Sequence, residues 1–174
     1  VFLFPNLFET NLYHHNNTAV KKKKIHLGQY SLKNDPEINK LAEKLTEAGY
    51  ETHFTTLNRN DEIQTPIYSV KYTSFDQYLS DMAESDYTLA LTRVKEGWNR
   101  IAHESLLLET PVIGYNNGGL GDLLKESGSF IVNDIEETYN IITKKEFTTY
   151  QPDKNFIEKY DISKGTVYIQ PVIN

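Results

Sequence analysis

The chain has 174 residues, a formal net charge of −6 and no cysteine. This length suits one domain with a substantial core, and the negative charge gives no reason to expect binding to nucleic acid. The absence of cysteine excludes disulfide frameworks, thiolate metal sites and cysteine nucleophiles. No apolar run approaches the roughly 20 residues that span a bilayer, and the first ten residues lack the features of a signal peptide. We therefore expect a cytoplasmic protein whose contact with membranes, if any, is peripheral.

Segments with the pattern of strands alternate along the chain with segments that have helical spacing. Strands are predicted at 23–28, 50–56, 67–72, 87–92, 111–115 and 129–132. Helices are predicted at 36–48, 75–83, 98–108 and 123–127, with one or two more between 136 and 160. This alternation predicts an α/β fold, with a Rossmann-like parallel sheet and helices on both faces.

Local signals support several of these elements. Apolar residues of segment 36–48 lie three and four positions apart, and Gly49 follows where a helix C-cap belongs. Segment 87–92 reads YTLALT, an almost unbroken apolar run typical of a central strand in a parallel sheet. The glycine-rich segment 118–121 predicts a turn into the helix that follows.

The most promising loop for chemistry follows strand 87–92. Open parallel sheets bind ligands at the carboxyl ends of their strands, where helices begin and their first N–H groups face anions. Residues 92–104, TRVKEGWNRIAHE, combine a glycine, a helix start and two glutamates. Glu96 lies at the edge of the loop and Glu104 about two helical turns later, so they are too far apart to share a proton. The pair suits two separate contacts to hydroxyl groups.

The stretch that begins at Glu96, EGWNRIAHESLLLETPVIGYNNGGLGDLL, resembles the EGFGLVLLEAMACGTPVIASDVGGLPEVV segment of retaining GT-B glycosyltransferases. Both glutamates keep the family's spacing of seven intervening residues, and the PVI strand and GG loop follow at the same distances. Weaker similarity extends over FPNLFETNLY near the start, IHLGQYSLKN at 25–34 and AESDYTLALT at 83–92. The resemblance covers most of the chain to about residue 132, and it implies the C-terminal, donor-binding half of a GT-B fold.

The resemblance also implies a site for a nucleoside-diphosphate sugar. Glu104 would accept hydrogen bonds from the ribose, Glu96 would hold hydroxyls of the transferred sugar, and Lys33 would neutralise the departing diphosphate. Glu96 and Lys33 are thus the expected catalytic residues. The other expected donor-binding residues are Gly28, Gln29, Thr92, Gly97, Trp98, Asn99, Gly118 and Gly119. No metal or other cofactor is expected, because positive side chains and helix dipoles take its place in this family.

The domain organisation follows from the same resemblance. Residues 1–20 would lead in from a preceding domain, residues 21–145 would form the Rossmann-like core, and residues 146–174 would form a closing helical tail. The acceptor would bind to an N-terminal domain that is absent from this chain. The isolated chain would therefore bind the donor but hardly catalyse transfer of a hexosyl group.

Several alternatives stay open. The family has arginine where this chain has Gln29, which favours as an alternative a catalytically degenerate module that binds or scaffolds. Candidates to supply the missing charge are Arg93, Lys95 and Arg100. Trp98 suits either an anchor in the core or a wall beside the donor sugar. A nucleotide-sugar epimerase, which shares the architecture in some cases, fits the glutamate pair and the GG loop less well.

Overall fold

The computed structural model describes residues 8–14, 23–31, 34–95, 97–144, 156 and 159–161. Within these ranges seven strands form one sheet: β1 (Lys24–Gln29), β2 (Glu51–Thr56), β3 (Ile63–Gln64), β4 (Ser69–Tyr72), β5 (Tyr87–Ala90), β6 (Val112–Tyr115) and β7 (Phe130–Val132). Their order across the sheet is β3-β4-β2-β1-β5-β6-β7. Neighbouring strands are parallel except for β3, which pairs antiparallel with β4.

The strand order places a switch point in the middle of the sheet. From β1 the chain moves outward to β2 and β4, returns to β5 on the other side of β1, and then moves outward again to β6 and β7. The loops that follow β1 and β5 therefore leave the same edge of the sheet, and beyond them the chain runs in opposite directions across the sheet, with a crevice between the two loops. Such a crevice at the carboxyl ends of the strands is where open α/β sheets bind their ligands.

Helices connect the strands. The described α-helices are α1 (Asn11–His14), α2 (Ile38–Glu47), α3 (Phe75–Ala83), α4 (Arg100–Leu107), α5 (Gly118–Ser127) and α6 (Ile135–Lys144). Helix α2 ends before Gly49, whose φ of +85° suits the left-handed C-cap position. Helix α3 begins after Ser74, whose side chain accepts a hydrogen bond from the backbone N–H of Gln77. None of these helices is long and apolar enough to cross a bilayer.

The helices cover both faces of the sheet. Helices α2 and α6 pack on one face, in an apolar cluster that includes Leu41 and Ile142. Helices α3, α4 and α5 pack on the other face, in a cluster that includes Met82, Leu106 and Leu124. Burial of each large apolar side chain of this kind stabilises the fold by roughly 1.5–3 kcal/mol. Packing of α4 in this cluster fixes the position of the helix and of the loop before it.

The predicted α/β fold with a mostly parallel sheet is confirmed. All six predicted strands form close to their expected bounds, as do the helices predicted at 36–48, 75–83 and 98–108. Helix α5 begins at Gly118, so the glycines form its first turn and not a turn ahead of it. The sequence pattern predicts neither α1 nor β3, because both are short and β3 is exposed. Most of the tail predicted at 146–174 lies outside the described residues.

Candidate functional site

Two loops meet at the switch point and are joined by hydrogen bonds. Asn34, in the loop after β1, forms an isolated antiparallel bridge with Thr92, in the loop after β5. The side-chain amide of Asn34 also donates a hydrogen bond to the backbone oxygen of Gln29, at 2.9 Å. These contacts tie the end of β1 to both loops, so the crevice has a defined shape.

Gly28 lets β1 approach its neighbour closely. Its φ is +85°, and a Cβ placed there would lie 2.8 Å from the backbone oxygen of Leu89 on β5. A side chain at this position would therefore strain the backbone and push the two central strands apart. Glycine is required for this geometry, whichever ligand the crevice binds.

The start of α5 packs directly on the loop that contains Gly97. A Cβ on Gly119 would lie 2.9 Å from the backbone carbon of Gly97 and 3.1 Å from the backbone nitrogen of Trp98. The Asn117 side chain donates a hydrogen bond to the backbone oxygen of Thr92, at 2.7 Å. The GG segment therefore packs against the loop before α4, and a side chain at Gly119 would push the two apart.

One cavity opens between these loops, and we call it the glycine-loop cavity. Its volume is about 630 Å³. Its described lining consists of Gly28, Gln29, Tyr30, Ser31, Asn34, Leu89, Ala90, Leu91, Thr92, Lys95, Gly97, Trp98, Asn99, Arg100 and Ile101. This lining contains two cationic side chains and no carboxylate. The first turn of α4 also faces the cavity, with Asn99 as its N-cap accepting a hydrogen bond from the Ala102 N–H at 2.9 Å. The cavity is therefore suited to an anion.

A second cavity of about 460 Å³ adjoins the first, and we call it the Glu104 cavity. Its lining consists of Gln29, Thr55, Thr56, Leu57, Thr73, Phe75, Tyr78, Arg100, Ile101 and Glu104. Three residues, Gln29, Arg100 and Ile101, line both cavities. One ligand with an anionic part and a hydroxyl-bearing part could thus occupy both cavities across this shared wall.

Glu104 is 3% exposed, and its carboxylate is held by three side chains. The Tyr78 hydroxyl donates to Oε2 at 2.6 Å, and Arg100 Nε and the Tyr13 hydroxyl donate to Oε1 at 2.9 and 3.4 Å. Burial first, and then the Glu104 charge, raise the pKa of Tyr78 well above its usual value. Tyr78 therefore stays protonated and acts as a donor. A carboxylate has about four lone-pair positions, so these contacts leave little unused capacity on Glu104.

A second buried carboxylate, Asp35, lies in the loop between β1 and α2. The Tyr115 hydroxyl and Arg93 Nε donate to its Oδ2 at 2.5 and 2.9 Å, and the Glu37 backbone N–H donates to Oδ1 at 2.9 Å. Burial acts to raise the pKa of Asp35, but these hydrogen bonds outweigh burial and hold the pKa below its usual range. Arg93 is thus engaged with Asp35, and it lines neither cavity.

Trp98 lies between the core and the glycine-loop cavity. It lines the glycine-loop cavity, and its ring also packs against His103 and Tyr160, with centroids 5.8 and 5.4 Å apart. His103 is fully buried, with Phe8 and Tyr160 at centroid distances of 4.7 and 4.3 Å. Burial lowers the pKa of His103 to about 3, so the ring is neutral and serves packing.

The structure brings most of the expected donor-binding residues to one place. Those that line the glycine-loop cavity are Gly28, Gln29, Thr92, Gly97, Trp98 and Asn99. Glu104 lines the adjoining cavity, while Gly119 packs behind Gly97 and Gly118 begins α5. The two expected catalytic residues, Glu96 and Lys33, lie outside the described residues. The roles of all these residues stay predictions.

Sequence reasoning missed the tyrosines that contact Glu104. Tyr13 and Tyr78 precede it by 91 and 26 positions, and no local pattern links residues at such separations. The Arg100 contact has a readable signal, since residues four apart face each other on a helix. Within the described ranges, no three His, Asp or Glu side chains are grouped as they would be around a metal ion.

No family model matches the sequence, and no curated protein matches it in sequence. Its fold is nevertheless similar to solved glycosyltransferases. AviGT4, a glycosyltransferase involved in avilamycin A biosynthesis, aligns with a TM-score of 0.65 and 12% identity, over 96% of this chain and 56% of that chain. Anabaena Alr3699/HepE, in complex with UDP and glucose, aligns with a TM-score of 0.68 and 16% identity, over 90% of this chain and 51% of that chain.

An isolated domain matches along nearly its whole length. The C-terminal domain of LpcC, a glycosyl transferase group 1 family protein from Francisella tularensis, aligns with a TM-score of 0.59 and 12% identity, over 92% of this chain and 96% of that chain. The chain therefore has the fold of GT-B glycosyltransferase C-terminal domains, as the sequence resemblance implies. It spans about half the length of AviGT4 and HepE.

Proposed function

We propose that this chain is the donor-binding domain of a retaining glycosyltransferase, which transfers a hexosyl group from a nucleoside-diphosphate sugar. The observation that carries the proposal is the pair of adjoining cavities. One has a cationic lining without a described carboxylate, and the other contains the Glu104 carboxylate. A nucleoside-diphosphate sugar has a diphosphate next to a ribose diol. The diphosphate suits the cationic cavity, and the diol suits the cavity that contains the carboxylate.

The glycine-loop cavity would hold the diphosphate and the sugar. Lys95 and Arg100 provide positive charge there, and the first turn of α4 adds the positive end of its dipole. The backbone at Gly97 is open to a ligand, because, apart from its chain neighbours, no described residue has an atom within 4 Å of the place where its Cβ would be. Lys33 would add charge as the diphosphate departs, and Glu96 would hold the sugar hydroxyls, as the family resemblance implies.

The Glu104 cavity would hold the ribose. Charged acceptors form stronger hydrogen bonds than neutral ones, and the three described contacts leave about one of the four lone-pair positions of Glu104 for a ribose hydroxyl. HepE, whose fold is similar, was solved in complex with UDP and glucose. As part of the proposal, we infer that this chain also binds a nucleoside diphosphate. The ligands to be tested are therefore nucleoside diphosphates.

Transfer would require a second domain. Because the chain spans about half the length of AviGT4 and HepE, we assign the acceptor site to a further, N-terminal domain. The proposal includes no metal and no other cofactor, because the lysine and arginine side chains supply positive charge. It also places the protein in the cytoplasm with only peripheral membrane contact, and its net charge of −6 favours no nucleic-acid partner.

A second candidate function follows from Gln29. This residue lines both cavities at the position where the resembling family has arginine. A neutral amide replaces a charged, bidentate donor there, which weakens binding of a diphosphate. The alternative is therefore a catalytically degenerate GT-B-like domain that serves binding or scaffolding. Donor hydrolysis by a protein that contains both domains would contradict this alternative.

Titration of the chain with UDP, GDP and ADP at fixed salt tests the proposal. We expect one of them to bind, and we expect Glu104→Gln to weaken that binding by about 10- to 100-fold, since a hydrogen bond to a charged group is lost. The matched control is Glu43→Gln, which removes the same charge from an exposed position on α2. The control should bind as the parent chain does. Absence of binding by all three nucleotides to the folded chain would contradict the proposal.

A further inference from the structure

Arg100 has a position that no other charged residue shares in the described part of the chain. Among the described residues, it is the one charged side chain that lines both cavities. Its side chain remains 69% exposed, while its Nε donates to Glu104 Oε1 at 2.9 Å. The guanidinium also lies over the Phe8 ring, 5.7 Å from the centroid, which restricts its orientation. The cation is therefore held at the boundary between the anion-suited cavity and the carboxylate.

Helix stability alone does not account for this arrangement. Arg100 is the first residue of α4, where the helix dipole disfavours a cation. The i,i+4 pair also has the less favourable order, with the cation before the carboxylate along the chain. An arginine at this position is thus poorly suited to stabilising the helix and well suited to contacting an anion in the cavity.

The other two cations near the loop have different positions. Arg93 is paired with the fully buried Asp35 and lines neither cavity. Lys95 lines only the glycine-loop cavity, away from the carboxylate. Of the three side chains that could compensate for Gln29, only Arg100 can contact an anion next to a group bound at Glu104.

We propose that Arg100 binds the phosphate adjacent to the ribose and thereby replaces the arginine that is absent at Gln29. Its Nε–H holds the Glu104 carboxylate in place for the ribose, and this contact uses one of the five N–H donors of the guanidinium. Remaining donors bind the phosphate through charge-assisted hydrogen bonds. One side chain thus couples recognition of the ribose to recognition of the phosphate. This inference rests on the proposed function, since it requires a nucleotide in the two cavities.

The test compares ligands that differ only in their phosphates. The nucleoside diphosphate that binds the parent chain is titrated beside its monophosphate and its nucleoside, at fixed salt, into Arg100→Gln, Arg100→Lys and the parent. For Arg100→Gln we expect a loss of about 10- to 100-fold for the two phosphorylated ligands and less than about threefold for the nucleoside. Arg100→Lys should recover part of that loss, because it keeps the charge but not the planar set of donors.

Arg93→Gln is the matched control, since it removes one arginine from the same stretch but outside both cavities. It should bind all three ligands as the parent does, with thermal unfolding used to verify that each variant is folded. Unchanged diphosphate affinity in Arg100→Gln would overturn the inference and leave the proposed function standing. An equal loss for nucleoside and diphosphate would also overturn it, because Arg100 would then act only through Glu104. Failure of the parent chain to bind any of UDP, GDP and ADP would instead remove the proposed function, and this inference with it.

Discussion

Two buried carboxylates in this chain have similar partners and different surroundings. Each is held by an arginine and a tyrosine: Arg93 and Tyr115 for Asp35, and Arg100 and Tyr78 for Glu104. Asp35 also accepts a backbone N–H and lines neither cavity. Glu104 forms a wall of a cavity of about 460 Å³. The same three side-chain types therefore hold a loop in one place and form part of a candidate binding site in the other.

The comparison shows what identifies a candidate site. Burial and ion pairing do not distinguish the two carboxylates, since both are almost inaccessible and both are paired with an exposed arginine. Access to a cavity distinguishes them. We therefore expect substitutions at either carboxylate to affect folding, and only substitutions at Glu104 to affect ligand binding as well.

The largest expected effect on stability comes from Asp35→Asn. The variant leaves the Tyr115 hydroxyl and the Glu37 N–H with a weaker, neutral acceptor inside the protein. We expect the free energy of unfolding to fall by about 1–3 kcal/mol, and the melting temperature by several degrees. Urea unfolding followed by circular dichroism measures the change.

Nucleotide affinity should distinguish the two carboxylates, and it is measured for Asp35→Asn and Glu104→Gln. Asp35→Asn should keep nucleotide affinity within about threefold of the parent, whereas Glu104→Gln should lose affinity by the 10- to 100-fold expected above. If Asp35→Asn abolishes binding while the chain stays folded, the distinction between the two carboxylates is wrong.

Sequence patterns predicted the fold because its signals are local. The stripe on α2, the apolar run of β5 and the glycine after α2 each fall within a few residues of one another. The carboxyl ends of parallel strands then place the loops after β1 and β5 at one edge. Reasoning from the sequence could therefore reach Gly97 and Glu104 through the topology.

Two of the three contacts to Glu104 are not local, and for that reason they were not predicted. The hydroxyls of Tyr13 and Tyr78 reach it from α1 and α3, which approach α4 only in the folded chain. Likewise, nothing near Arg93 in the sequence indicates that it pairs with Asp35, 58 positions earlier. Composition can suggest which cations are available near a site, but only packing decides which of them face it.

The next largest effects are expected for Tyr115→Phe and Tyr78→Phe, which should differ in whether they change stability or nucleotide affinity. Each substitution removes one hydroxyl from a buried carboxylate and keeps the ring. Tyr115→Phe should lower the free energy of unfolding by about 0.5–1.5 kcal/mol without changing nucleotide affinity. Tyr78→Phe should instead raise nucleotide affinity a few-fold, because it vacates a lone-pair position on Glu104 that a ribose hydroxyl can use.

Tyr13→Phe controls for the second effect. Its hydroxyl lies 3.4 Å from Glu104, so removing it should change affinity less than removing the Tyr78 hydroxyl at 2.6 Å. Calorimetric titration of the four proteins with the same nucleotide gives the comparison. A lower affinity in Tyr78→Phe would show that this hydroxyl orients Glu104 for the ligand and does not compete with it.

The smallest expected effect is a pH-dependent difference in stability between the parent chain and Asp35→Asn. Buried histidines also make the stability of both proteins depend on pH. Burial is the main cause that lowers the pKa of His26 and of His103 to about 3. Their unfolded-state pKa is about 6.5, so the stability from keeping them neutral is complete above that pH and is lost as the pH falls from 6.5 towards 3. The parent chain and Asp35→Asn share this loss, which therefore cancels in the difference between them.

What remains in the difference is the ionisation of Asp35. Its pKa is held below the usual range in the folded chain, and its unfolded value is about 3.9. The contribution is therefore fully present above pH 4 to 5 and is lost as the pH falls through the folded-state pKa. We expect the stability difference between the parent and Asp35→Asn to be constant from about pH 7 to 5 and to shrink below about pH 4, in urea unfolding at closely spaced pH values. A difference that stays constant down to pH 2.5 would mean that the ionised form of Asp35 gains nothing from Arg93 and Tyr115. The resemblance between its surroundings and those of Glu104 would then be one of geometry and not of charge.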